Sequence, residues 1–203
     1  MLKFDLVLAS APFVGHSGYN SHSQNFFTAL DNYIPVRVKN YTHCNELDHL
    51  TQKQKDMIIH QTWSHIPWEV GSPFNPKPGT KIVNICLFET NHVEYYKGFD
   101  GPKIAYNVWE STLQPWPFFS RLLQFDQLWV PTTWQANCSI EQGYPADRVK
   151  IVPEGVNGFV FYPYKTANKK NGKFQFMIFG RWDYRKYSME MVKAFHEEFV
   201  PDE

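Results

Sequence analysis

The chain has 203 residues, about one and a half domains at roughly 150 residues each. Its 20 Lys and Arg balance 20 Asp and Glu, and a formal net charge of zero excludes a general basic field for holding nucleic acid or an anionic membrane. A hydrophobic share of 43% against a charged share of 20% excludes disorder.

Apolar runs alternate with amphipathic stretches along the chain, the order of parallel strands joined by crossover helices, so an α/β fold is expected. The first strand is predicted over 4–9. A loop with Gly15 and Gly18 follows, then a helix over 21–30 with Phe26, Phe27 and Leu30 on one face. A second strand is predicted over 35–38, a polar helix over 46–55, and a third strand over 57–59 that ends at His60. The Pro- and Gly-rich stretch 67–80 reads as a surface loop. Continuous apolar runs at 81–88 and 103–108 predict two more strands, each leading into an acidic and a hydroxyl residue, Glu89-Thr90 and Glu110-Ser111. A helix is expected near 117–124 and a strand over 127–130. Thr132 or Thr133 then caps a helix reaching Gln142, Gly143 stops it, and 149–152 is a further strand.

After Pro153 the texture becomes that of a linker, expected over 154–172. Residues 1–153 form the first expected domain. The remainder predicts a strand over 174–179, a polar turn over 180–185 and a helix over 188–199, the opening of a truncated second domain.

Cys44, Cys86 and Cys138 are far apart, odd in number and form no CxxC, which suits a reducing, cytoplasmic setting. Asp5 interrupts a short N-terminal apolar run, against a signal peptide. No stretch reaches the roughly 18 apolar residues of a membrane span, which leaves peripheral contact with a membrane open. The eight histidines show neither HExxH nor a cluster with ligand spacing, so no protein-held metal is expected.

Four places can carry chemistry. Gly15 and Gly18 lie between a buried strand and a helix start, where backbone amides and a helix dipole favour an anion; they also suit a plain turn. Arg181, Arg185 and Lys186 put three cations at a strand end before a helix, suited to charge developing on a diphosphate leaving group, or simply to a solvated turn. His60 ends a strand, as a structural group or a catalytic one. Glu89 and Glu110 stand at strand ends as acceptors for sugar hydroxyls or protons, or as caps and ion-pair partners. Trp63, Trp68, Trp109, Trp116, Trp129 and Trp134 concentrate the aromatic excess. Trp109 and Trp116, flanking Glu110, are candidates to stack on a sugar ring.

In order and spacing these segments resemble family 4 glycosyltransferases, the group 1 nucleotide-sugar enzymes of GT-B fold. The likeness is carried by the glycine-bearing first loop, DMIIHQ, NVWEST, the run FDQLWVPTTWQANCSIEQGYPADRVKIVPEGVNGFVFYP, and FMIFGRWDYRKYSMEMVKAF. The resemblance implies two Rossmann-like domains and a retaining transfer of sugar from a nucleoside diphosphate to a hydroxyl of a sugar, lipid or protein, without cofactor or metal. By position, Arg181 and Lys186 would contact the donor diphosphate, Gly15 and Gly18 would face it, and His60 and Glu110 would lie on the acceptor side. Tyr187 stands where the family usually has Gly after the lysine. The chain stops before the family's E-x7-E region, so a complete donor pocket is expected to need a further domain or another chain. Two other readings stand beside this one: a non-catalytic α/β module binding a carbohydrate or a partner through an aromatic cleft, and a glycosidase using Glu89 and Glu110.

Overall fold

A computed structural model describes residues 4–42, 46–59, 74–87, 100–163 and 176–199. It divides into two compact units, Met1–Gly158 and Phe159–Glu203.

The first unit is α/β, with a six-stranded, all-parallel sheet. Its strands are β1 (Leu6–Ala11), β2 (Val36–Asn40), β3 (Ile82–Leu87), β4 (Lys103–Tyr106), β5 (Gln127–Val130) and β6 (Val149–Ile151), in spatial order β2-β1-β3-β4-β5-β6. Both β1 (LVLASA) and β3 (IVNICL) are buried at all six positions, as central strands covered on both faces must be. At the edge, β2 (VRVKN) alternates buried and half-buried residues. The result is a Rossmann-like sheet flanked by helices.

On one face, α1 (Gly18–Leu30) and α2 (Gln52–Met57) cover a core of Val7, Ala9, Phe27, Val36, Val38 and Ile85. On the other, α3 (Trp116–Leu122) and α4 (Thr133–Glu141) enclose Cys86, Ala105, Phe119, Leu122, Leu128 and Ala136. Thr132 caps α4 through the Gln135 amide, and Gly143 takes φ +112 just beyond it, both as expected.

Three elements differ from expectation. The helix predicted over 46–55 is only α2, because a capping box between Thr51 and Gln54 satisfies the first-turn amides and sets the start at Gln52. The strand predicted over 57–59 is reduced, among the described residues, to bridge pairing at Ile58 and Ile59, with Ile58 parallel to Val38, since Met57 still belongs to α2. In the second unit, 176–179 forms no strand, and Phe176, Met177 and Phe179 are exposed. Among the described residues of that unit no other strand exists to pair with it, and a ladder needs a neighbour. What the second unit does form is a 3-10 turn, Tyr184–Lys186, followed by α5 (Ser188–Glu198).

Candidate functional site

The chain leaves β1 for one edge of the sheet and returns on the other side of β1 with β3, so the connections diverge between these two strands. In open parallel sheets that divergence opens a crevice at the carboxyl ends, where ligands gather. The loop after β1 lies there. Its backbone is bound into the fold by side chains. Asn40, ending β2, accepts with Oδ1 from the amides of Phe13 and Val14, both at 2.9 Å. Asn20 donates from Nδ2 to the carbonyls of Pro12 (2.8 Å) and Val14 (2.9 Å) and accepts from the Ser17 amide. Gln24 donates to the Phe13 and Gly15 carbonyls. The Gly15 amide donates to Nε2 of His49 at 3.3 Å.

The two glycines therefore differ. Gly15 has φ +130, and a Cβ there would lie 2.9 Å from Oδ1 of Asn20, so a side chain would strike the amide that holds the loop. Gly18 is not in the loop at all. Ser17 caps α1, Gly18 is its first residue, and a Cβ at Gly18 would meet open space. Four amides of the expected anion cradle, those of Phe13, Val14, Gly15 and Ser17, already have acceptors within the protein.

His49 is a crevice group that sequence reasoning missed. Its ring packs against His16 at 4.2 Å between centroids, and burial, reinforced by His16, holds its pKa below the ordinary histidine value. Neutral His49 with Nε2 as acceptor is what the Gly15 amide requires. Asn20 and Asn40 were missed as well. Asn40 stands at the end of a strand, a readable signal, but its partners lie 26 and 27 residues away.

At the exit of β4, Tyr19 on the first turn of α1 donates to the Val108 carbonyl at 3.3 Å, bringing the start of α1 and the Glu110 segment to the same edge of the sheet. Glu110 is exposed. Beside it, Nε1 of Trp109 donates to Ser111 Oγ (2.7 Å) and the Leu113 carbonyl (3.1 Å), folding the segment on itself. Below lies a buried amide network: Gln114 donates to Asn107 Oδ1 at 2.8 Å, Gln135 donates to the Asn107 carbonyl at 2.9 Å, and Gln142 brackets the Gln114 backbone. Trp116 is exposed at the start of α3, while Trp129 packs against the core on the α1 face. His60, Glu89, Trp63 and Trp68 lie outside the described residues.

In the second unit, Gly180 takes φ +145 and leads into the cationic turn. Arg181 Nε lies 2.9 Å from Asp183 Oδ2, and Asp183 Oδ1 accepts from the Lys186 amide at 3.0 Å. Ser188 Oγ donates to the Arg181 carbonyl at 3.1 Å, tying the turn to the start of α5. Between them Tyr187 adopts φ 53, ψ 31, the left-handed conformation, alone among the described non-glycine residues with a positive φ.

Among the described residues no group of three or more His, Cys, Asp or Glu is placed to hold a metal ion, and no helix is long and apolar enough to cross a membrane. Compared with known proteins, the chain matches no family model, and no curated protein or solved structure is significantly similar to it.

Proposed function

We propose that the chain belongs to a nucleotide-sugar-dependent glycosyltransferase of GT-B type, moving a sugar from a nucleoside diphosphate to a hydroxyl acceptor. The observation that carries this reading is the backbone of the second unit's cationic turn. The position where family 4 enzymes have Gly after the lysine is left-handed here, although Tyr187 occupies it. A turn that keeps this shape against the preference of its residue presents Arg181 and Lys186 just ahead of α5. The parallel sheet, with Glu110 and the α1 start on one edge, is the acceptor-side counterpart the same reading requires.

In this reading the bond from the anomeric carbon to the distal phosphate oxygen breaks and a bond to the acceptor oxygen forms. The acceptor's proton passes to the departing phosphate oxygen, and the remaining negative charge stays on the diphosphate. Arg181, braced by Asp183, together with Lys186 and the positive end of α5, offsets that charge. The acceptor hydroxyl would be held by Glu110 and His60.

Calorimetry with UDP, GDP and ADP tests the reading. At least one should bind, with affinity falling about tenfold or more in Arg181→Ala and Lys186→Ala, the scale of a lost charge-assisted contact. No binding of any of the three by a full-length product that carries the complete donor domain overturns it. A second reading, a carbohydrate- or partner-binding module without catalysis, draws on the commitment of four amides in the β1 loop to side-chain acceptors. It predicts saccharide binding that Arg181→Ala leaves unchanged.

A further inference from the structure

Helix α1 carries a histidine that the proposed chemistry does not use. His22, on its second turn, is only 12% exposed and lies within a box of aromatic rings: Tyr106 edge-on at 4.8 Å and Phe26 edge-on at 5.8 Å. Its Nδ1 lies 2.9 Å from Glu154 Oε1, while Nε2 is buried with no hydrogen-bond partner among the described residues.

Glu154 belongs to the segment that leaves β6. Three further contacts hold that segment down. The Val152 amide donates to the Val130 carbonyl at 2.8 Å, the Tyr106 hydroxyl donates to the Val152 carbonyl at 2.6 Å, and Asn157 Nδ2 donates to Asn25 Oδ1 at 3.2 Å. Two of the strap's attachments, His22 and Asn25, stand one turn apart on α1, the helix whose first residues border the sheet crevice.

We propose that His22, Glu154 and Tyr106 form a proton-operated latch that fastens the segment 152–157 to α1 when His22 is neutral and releases it when His22 is charged. The direction follows from the two ring nitrogens. In the neutral ring the proton belongs on Nδ1, facing the Glu154 carboxylate, and Nε2 is a bare lone pair among aromatic carbons. The proton that charges the ring must enter at Nε2, where no acceptor stands among the described residues. Among the described residues, the groups facing His22 that carry charge or can titrate are Glu154, beyond β6, and Tyr106 on β4; α1 carries no Asp, Glu, Lys or Arg.

Burial lowers the His22 pKa and Glu154 opposes part of that shift. A histidine whose pKa is lower in the latched form stabilises that form above its ordinary titration range, and the stabilisation is lost as pH falls through it. Tyr106, whose pKa is raised by burial and by Glu154, keeps its hydroxyl proton for the Val152 carbonyl across this range.

Hydrogen exchange of the whole chain, corrected for intrinsic rates, tests the latch. Protection of amides in 152–157 should fall at least about threefold between pH 7.5 and 5.5, while β3 stays protected. In His22→Phe, which keeps a ring in the box, that protection should no longer depend on pH. Flat protection in the wild type, or the same pH dependence in His22→Phe, overturns the proposal. As a second measurement that needs no variant to fold, NMR titration should place His22 below an ordinary histidine. A His22 titrating at or above the ordinary value would also overturn it.

Discussion

Tyr187 shows how one backbone angle can matter more than the side chain attached to it. A left-handed residue with a Cβ costs about 1 to 2 kcal/mol relative to an extended or helical one, and here packing of the Tyr187 ring on Tyr184, with centroids 5.4 Å apart, and the Tyr187 amide donating to the Tyr184 carbonyl at 3.2 Å stand against that cost. Replacing Tyr187 by Gly is expected to stabilise the turn and the start of α5 by about 1 kcal/mol, seen as slower amide exchange at the start of α5. Tyr187→Ala keeps the strain, loses the stacking and should give no gain. Gly15 makes the opposite point. Its need for glycine was readable from its place after a strand, but the clash that enforces it is with Asn20, which no spacing rule singles out.

At the scale of elements, the loop between β1 and α1 depends on β2. Asn40 caps two buried amides of that loop from the neighbouring strand, and Thr42 donates to the Val14 carbonyl at 2.6 Å. In Asn40→Leu, a substitution of similar size, the Phe13 and Val14 amides lose their acceptor. The expected cost is about 2 to 4 kcal/mol, measured as a lower midpoint in urea with an unchanged slope. The strands β1, β3 and β4 were legible because burial on both faces leaves little alternation to misread, while β5 alternates half-buried and buried residues. Short segments were less so. The segment 46–59 reads as a helix over 46–55 and a strand over 57–59, and the Thr51 capping box together with the bridge from Ile58 to Val38 moves both boundaries. The apolar run ending at Phe179 looks like a strand, yet a strand exists only as a pair.

For the first unit as a whole, burial of phenols ties stability to alkaline pH. Tyr144 is buried, donates to the Phe125 carbonyl at 3.1 Å, and burial pushes its pKa up to about 12. Because the folded form holds this proton to higher pH than the unfolded chain, its contribution is complete below about pH 10 and is lost as pH rises through about 12. The difference in stability between wild type and Tyr144→Phe should therefore shrink across that window by on the order of 2 kcal/mol, measured by urea unfolding at each pH.

The sequence by itself determined the α/β class, the parallel strands, the Thr132 cap and Gly143 stop of α4, and the cationic turn. Each rests on residues close in the chain: apolar runs, Thr before a helix, Gly after it, and three cations within six positions. Only the tertiary structure decided which groups are shared across the sheet. Asn40, His49 and Asn20 converge on one loop, Tyr19 joins α1 to the exit of β4, and His22 meets Glu154 across 132 residues of chain. The physical reason is that a parallel sheet returns every strand to the same edge. Strand order, which local patterns do not encode, then selects the side chains that meet there.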